Sequence, residues 1–213
     1  MKKSFYIFLL SLLMMPMIST AETTRLPSDT FFNYQLPGAN WQASTEPPQL
    51  AIDAMYVDLV HGKEKKGEVY DPEKLRTMSV EFLKTNNLYI YNEDTEAYLM
   101  VSISPYNEKE GIPTKRQIKS SAKWALNAIA EHAEVSDLSS YSSSVEDIDV
   151  EGMKYAAKID ANYPLFGDPH HFTGIIGYSH PYWVFLYYND KLKREQDLVE
   201  MKRLLNTIEF STK

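Results

Sequence analysis

The densest group of residues that could do chemistry lies around residue 170. Asp168, His170 and His171 occur within four residues, and carboxylate and imidazole groups bind zinc, which usually takes three or four ligands. Adjacent side chains of an extended chain point to opposite sides, so only one of the two histidines can aim inward with Asp168. The sequence therefore offers a metal-binding or small-ligand site at Asp168, His170 and His171, open to hydrolytic chemistry but short of a full zinc ligand set.

His180 is too far along the chain to complete such a site. Two apolar runs, 172–179 and 182–188, flank Ser179, His180 and Pro181, which predicts a hairpin with His180 at its turn. The other histidines then lie at the far end of one strand, more than ~20 Å away at ~3.3 Å per residue. A site built from three histidines is therefore disfavoured, and we expect no resident cofactor.

Patterns typical of catalysis do not occur in the sequence. It has no Gly-x-Ser-x-Gly nucleophile elbow and no phosphate-cradling glycine motif. It has no cysteine, which excludes disulfides, thiolate metal sites and thiolate nucleophiles. Paired carboxylates such as Glu146 and Asp147 lie in polar, turn-like segments where solvated charge is expected. We predict a protein that is not an enzyme.

Aromatic residues between 163 and 188 form a second kind of candidate site. Exposed Tyr and Trp are favoured at protein contacts and in small-ligand pockets. Aromatic side chains also dominate protein cores, so burial beneath helices remains an equal alternative. On the first interpretation a protein partner is contacted through four residues of this segment. They are Tyr163, Phe166, Tyr182 and Trp183.

The hairpin that carries these residues predicts the architecture. In 182–188 both alternating sets of side chains are large. A strand without a polar face must be covered on both sides. The hairpin should therefore lie in the middle of an antiparallel sheet with helices packed over it, which is an α+β fold.

Three helices are predicted around this sheet. Asp71, Pro72 and Glu73 form a helix start, in which Asp71 caps free N–H groups and Pro72 takes the first helical position. Thr114 and Gln117 form a capping box. A third helix is expected within 190–206. The predicted buried stripes are Leu75, Met78 and Phe82; Ile118, Ala122, Ala125, Ile129 and Ala133; and Leu198, Met201, Leu205 and Ile208.

The remaining segments are assigned from their composition and alternation. The predicted strands are 31–36, 50–60, 88–91, 97–103, 148–150, 153–161 and a short tail at 207–210. Strand 153–161 has one polar face, which favours a position toward a sheet edge. We expect 22–30 to be mobile, and 61–67 and 136–144 to be surface loops.

The first 21 residues have the layout of a secretory signal peptide. Lys2 and Lys3 precede an apolar run, and small residues occur at Ser19 and Ala21, so cleavage is expected after Ala21. Pro16 interrupts the run, which is shorter than the ~20 residues of a membrane span. Residues 22–213 should then form a single domain, in the periplasm or secreted, without a membrane span.

The net charge of the chain limits the classes of partner that it can bind. The formal net charge is −7, and loss of the two lysines at the start makes it −9. A chain this acidic has no electrostatic reason to bind nucleic acid or an anionic membrane surface. A protein or small-molecule partner remains, and the oligomeric state is left open.

Several residues resemble the PsbP/Mog1-like group, which includes the bacterial DcrB-type domains. That group opens with an aromatic strand that runs into Leu-Pro near a Trp, and it has a Gly before an alternating strand, then a hairpin and a C-terminal helix with an apolar tail. The matching parts are Tyr34, Leu36, Pro37 and Trp41; Gly152 before 153–161; 172–188; and 198–210. The resemblance implies an α/β/α sandwich used mainly for binding and assembly, without a shared catalytic set. Together these features predict an exported, non-catalytic binding or accessory protein.

Overall fold

The computed structural model describes residues 21–107, 109, 111–132, 141–165 and 167–212. In these residues the chain forms ten β-strands and four α-helices. The strands are β1 (Ala21–Leu26), β2 (Thr30–Gln35), β3 (Gln42–Ser44), β4 (Leu88–Asn92), β5 (Ala97–Pro105), β6 (Ser142–Ile148), β7 (Tyr155–Leu165), β8 (Asp168–Ser179), β9 (Tyr182–Asp190) and β10 (Glu209–Thr212). The helices are α1 (Gln49–Lys65), α2 (Pro72–Leu83), α3 (Lys115–His132) and α4 (Glu195–Leu205).

A large antiparallel sheet organises the described part of the chain. Its seven strands lie in the order β3-β4-β5-β9-β8-β7-β6. The predicted hairpin is β8 and β9, with a register that runs from Ser179 opposite Tyr182 to His171 opposite Asp190. It lies at the middle of the sheet, which confirms the prediction from its two apolar faces. β7, the strand with one polar face, is second from the edge.

One face of this sheet packs against α4 and a smaller sheet. Val184, Leu186 and Tyr188 of β9 share a buried cluster with Met201 and Leu204 of α4. The smaller sheet has the order β1-β2-β10. Its aromatic side chains enter the same cluster, and the rings of Phe32 and Phe210 have centroids 4.9 Å apart. The C-terminal tail therefore pairs with β2 in this smaller sheet.

The N-terminal prediction was wrong. Residues 22–30 were expected to be mobile, but β1 pairs with β2 along its whole length, from Ala21 opposite Gln35 to Leu26 opposite Thr30. Strand pairing satisfies backbone N–H and C=O groups whatever the side chains are. A polar segment can therefore form an edge strand once a partner strand is present. The same reasoning explains Ser142–Ile148, because β6 includes three residues of the predicted 136–144 loop and pairs with β7. Residues 136–140 lie outside the described residues.

Helices cover the opposite face of the large sheet in two separate blocks. α1 and α2 pack over β4 and β5, where Ala51, Leu83 and Tyr89 form a buried cluster. α3 packs over β7 and β8, where Ile118 and Ala122 are buried. The sheet is therefore covered on both faces, with a gap between the two helical blocks on this side.

The segment that forms α1 was predicted as a core strand at 50–60, and this prediction was wrong. The segment is helical from Gln49 to Lys65, so the 61–67 loop was also misplaced. Gly67, at φ 66°, follows the end of the helix, and its N–H donates to the carbonyl of Glu64. A glycine in this left-handed conformation commonly ends a helix. Apolar content did not distinguish a helix from a strand, and Ala51 is the buried residue of the helix.

The capped helices begin where the sequence predicts them. The Asp71 carboxylate accepts from the N–H groups of Glu73 and Lys74 at 2.9 and 3.3 Å. The Gln117 N–H donates to the Thr114 hydroxyl at 3.3 Å, and the Thr114 N–H donates to the Gln117 side chain at 2.8 Å.

The buried face of α2 differs from the prediction in one respect. Leu75, Ser79 and Leu83 are buried, whereas Phe82 is 52% exposed. Ser79 is tolerated there because its hydroxyl donates to the Leu75 carbonyl at 2.9 Å. Because Ser79 is polar, the apolar pattern did not identify Leu75, Ser79 and Leu83 as the buried positions of this helix.

Candidate functional site

A cleft of about 850 Å³ opens between α1 and α3, over the end of the large sheet where β5 and β8 begin and β7 and β9 end. α1 contributes Leu50, Ala54 and Asp58, at successive intervals of four residues. α3 contributes Ala128 and Ile129 from its last turns. The cleft exists because the two helical blocks cover opposite halves of one sheet face and do not meet.

Aromatic side chains line the floor of the cleft. Tyr98 on β5 and Phe172 on β8 both pair with Asn189 on β9, so the three residues form one row across the sheet. In the next row Tyr163 on β7 pairs with His170 on β8, and their rings stack with centroids 6.0 Å apart. The floor is therefore rigid, because its side chains stand on hydrogen-bonded strands.

Carboxylates surround this floor. Burial first, and then the nearby Asp58 carboxylate, raise the pKa of Tyr163 to about 12. The same two causes raise the pKa of Tyr98. Asp58 is half-buried on α1, so it acts on both phenols from across the cleft. Asp58, Tyr98 and Tyr163 come from three distant segments and line one cleft.

Two carboxylates at the rim have close basic partners. Asp53 forms an ion pair with Arg76 at 2.9 Å. Glu96 contacts Lys191 and also pairs with Lys193 at 2.6 Å. These pairs connect α1 to α2, and the β4–β5 turn to the segment after β9. They hold the edges of the cleft in place.

Of the four predicted contact residues, the three that the structure describes do not lie together. Tyr163 lines the cleft and is 8% exposed. Tyr182 and Trp183 lie at the opposite end of β9 and on opposite faces of the sheet, where Tyr182 is 9% exposed and Trp183 stacks on Phe185 at 6.2 Å. Phe166 lies outside the described residues. A contact through all four residues stays a prediction.

The three candidate metal ligands also separate. Asp168 and His170 line the cleft, whereas His171, the next residue of β8, points to the other face. His180 lies at the hairpin turn, where its ring contacts the Tyr178 hydroxyl at 2.9 Å. Among the residues that the structure describes, no group of three or more His, Asp or Glu side chains is arranged to hold a metal ion.

His171 belongs to a polar network on the α4 side of the sheet. Its Nδ1 lies 2.7 Å from the Asn162 side-chain oxygen, and its Nε2 lies 2.9 Å from the Thr173 hydroxyl. Thr173 donates to Asp160 at 2.8 Å, and Asp160 pairs with Lys158 at 2.6 Å. The polar face predicted for strand 153–161, which lies in β7, therefore contributes to the hydrogen-bonded network around the buried His171.

Sequence reasoning missed Asp58 and Tyr98. Asp58 was hidden by the strand prediction for α1, although a helical period would have placed Leu50, Ala54 and Asp58 on one face. Tyr98 lies in the predicted strand 97–103, where nothing marked it as a cleft residue. No sequence signal indicated that Tyr98 and Tyr163 would line the same cleft.

Comparisons with known proteins identify the fold. No protein-family model matches the sequence, and no curated protein sequence matches it. The crystal structure of LpqN, described as involved in cell envelope biogenesis of Mycobacterium tuberculosis, aligns with a TM-score of 0.50 and 10% identity, over 90% of this chain and 91% of that chain. The solution structure of cyanobacterial PsbP (CyanoP) from Synechocystis sp. PCC 6803 aligns with a TM-score of 0.49 and 7% identity, over 92% of this chain and 94% of that chain.

At these identities the likeness concerns the fold. The chain has an α+β, PsbP/Mog1-like architecture, in which antiparallel sheets are flanked by helices. This confirms the fold that the resemblance in sequence implied.

Proposed function

We propose that this protein is a non-catalytic binding protein whose ligand occupies the cleft between α1 and α3. The cleft itself supports this most strongly, since small-molecule sites are typically concave, ~300–1,000 Å³ in volume, and apolar with a few polar groups. Here Tyr98, Tyr163 and Phe172 supply the aromatic surface, and Asp58 and Asn189 supply polar groups.

Three of the six carboxylates that line the cleft have partners within the protein, which makes them poor candidates for a general acid or base. Asp53 and Glu96 are paired with basic side chains. Asp190 is buried and accepts from the Tyr188 hydroxyl at 2.6 Å and from the Leu192 N–H at 2.7 Å. A general acid or base must instead reach the substrate within hydrogen-bonding distance. These carboxylates stabilise the walls of the cleft.

Burial favours a small ligand over the protein partner predicted from the sequence. Tyr163 and Tyr182 are 8% and 9% exposed, so each offers little area to a second protein. Aromatic residues at protein interfaces contribute most when they fill a pocket on the partner. Contact with a protein partner stays a prediction, and the cleft ligand is the function we propose.

We further propose that the protein is exported as a single domain, residues 22–213, to the periplasm or the medium. The signal-peptide layout of the first 21 residues supports this, and LpqN is described as involved in cell envelope biogenesis. In the described residues, no helix combines the length and apolar character that a membrane crossing requires.

Filling the cleft tests its role in binding. Ala128 is exposed on α3 and lines the cleft, so Ala128→Trp should place an indole in the ligand volume without disturbing the core. A library of small aromatic and amine compounds would be screened by NMR. We expect ligands to shift the resonances of Tyr98, Tyr163 and Phe172, and Ala128→Trp to weaken this binding about tenfold or more, since an excluded contact surface of ~50 Å² is worth ~1.4 kcal/mol.

Asn127→Trp is the matched control. Asn127 is the preceding residue of α3 and is exposed, and it does not line the cleft. This variant should bind like the unmodified protein. If no compound shifts the cleft resonances, or if both variants bind equally well, the cleft is not the binding site.

A further inference from the structure

The acidic residues that line the cleft determine which ligand charge it favours. Of the described residues that line it, six are acidic and one is a lysine, Lys191, which already contacts Glu96. The acidic residues are Asp53, Asp58, Glu93, Glu96, Asp168 and Asp190. Asp53 and Glu96 are paired with basic side chains, and Asp190 accepts from the Tyr188 hydroxyl. Asp58, Glu93 and Asp168 add further negative charge, and a concave surface with an excess of one sign of charge concentrates ligands of the opposite sign. An anionic ligand would meet repulsion here.

The floor of the cleft also favours a positively charged ligand. Tyr98, Tyr163 and Phe172 present aromatic rings, and the faces of such rings carry partial negative charge that attracts cations. The Asp58 carboxylate lines the same cleft from α1. A positively charged group in the cleft would therefore meet aromatic side chains and a carboxylate.

Given the cleft ligand proposed above, we propose that this ligand is a small organic cation whose ammonium group binds beside Asp58 at the aromatic floor of the cleft. A volume of about 850 Å³ is far larger than a metal ion requires and suits an organic molecule. Phe172 and Ile129 would contact its apolar part, and Asn189 offers a side-chain amide to a polar substituent.

The test compares choline with its neutral isostere, in which carbon replaces the quaternary nitrogen. The two compounds share shape, so any preference reports on charge. Binding would be followed by NMR and calorimetry on the mature protein. We expect choline to bind at least about tenfold more tightly than the isostere, as cation–π contacts and one half-buried carboxylate together imply.

Three variants test which side chains contact the ammonium group, and a fourth is the matched control. Asp58→Asn keeps the side-chain shape and should weaken choline binding about tenfold, without affecting the isostere. Tyr163→Leu removes a ring and should weaken choline binding, whereas Tyr163→Phe keeps the ring and should retain it. Asp149→Asn removes the same charge from an exposed position outside the cleft and serves as the matched control.

The outcomes separate this inference from the proposed function. If the isostere or an anionic compound shifts the cleft resonances as strongly as choline does, the cleft binds ligands but the cation preference is wrong. The preference is also wrong if Asp58→Asn and Asp149→Asn bind choline equally. If no compound of any charge shifts the cleft resonances, both the cleft function and the cation preference fail.

Discussion

His171 is a buried titratable side chain with contacts on both ring nitrogens. It is 7% exposed and lies between Asn162 and Thr173. Burial lowers its pKa from the ordinary value of 6.5, while Asp160 and Asp190 act in the opposite direction. Burial is the larger cause, so the net shift of the His171 pKa is downward. The buried ring has a structural role, which adjacent His170, at the cleft, does not share.

The lowered pKa of His171 predicts a loss of stability in acid. As the pH falls through 6.5, the unfolded chain binds a proton on this residue before the folded chain does. The folded state therefore keeps its full stability above that pH and loses stability relative to the unfolded chain as the pH falls below it. We expect the free energy of unfolding to fall less between about pH 7.5 and pH 5.5 in His171→Gln than in the unmodified protein. Urea denaturation at both values measures this difference.

His171→Gln should also be less stable at neutral pH by about 1–3 kcal/mol, because Asn162 and Thr173 lose a buried partner. His170→Gln is the control, since His170 is more exposed and lies on the other face of β8. The stability of His170→Gln at neutral pH should match that of the unmodified protein. If His171→Gln retains the full pH dependence of the unmodified protein, burial does not shift the titration of His171.

At the scale of elements, Gly152 couples the start of β7 to β10. Its φ is 80°, and a Cβ atom there would lie 1.6 Å from the Phe210 carbonyl oxygen. The Phe210 N–H donates to the Glu151 carbonyl at 3.1 Å. The backbone approaches so closely that only glycine fits. The glycine that the sequence placed before an alternating strand is thus required by the packing of the C-terminal tail.

Gly152→Ala should therefore be strongly destabilising. We expect a loss of roughly 3 kcal/mol or more, because left-handed strain adds to the displacement of β10. Gly167→Ala separates the two effects. Gly167 has φ 89° with no neighbouring atom within 4 Å of the Cβ position, so it should cost only the ~1–2 kcal/mol of strain. Equal losses in urea denaturation would show that the contact with Phe210 contributes nothing.

The element with the wrong predicted structure, α1, is also the one that builds one wall of the cleft. Its apolar residues face α2 and β4, where Leu50, Ile52 and Met55 pack against a buried cluster. A short apolar run is compatible with a helix or a buried strand, and periodicity alone does not separate them. The helix has no side-chain N-cap bond, unlike α2. The capping signals that identified α2 and α3 were absent here.

At the scale of the whole molecule, the smaller sheet joins the two ends of the described chain. β2 pairs with β1 on one side and with β10 on the other. Trp41 adds a contact between the N-terminal half and α4, since its indole N–H donates to Glu200 at 2.8 Å. The ends of the chain therefore contribute to the same core as the central hairpin.

Export predicts a specific N-terminus. Cleavage after Ala21 would leave Glu22, which pairs with Tyr34 and accepts from its hydroxyl at 3.0 Å, so β1 would survive processing. N-terminal sequencing of protein recovered from the envelope or medium should begin at Glu22. Ala21→Trp should instead accumulate the unprocessed chain, because signal cleavage requires a small residue. A recovered protein that retains residues 1–21 would contradict the assignment.

Local patterns in the sequence were sufficient for the central hairpin, the capped helices α2 and α3, and the α+β class. These features depend on neighbours in the chain: a hydrophobic period, a capping side chain or a turn within a few residues. The tertiary structure was needed for β1, α1 and the cleft. Asp58, Tyr98, Tyr163 and His170 come from four separate elements, and their meeting depends on strand register and on the gap between two helical blocks. No local pattern encodes those distances, because packing between remote segments sets them.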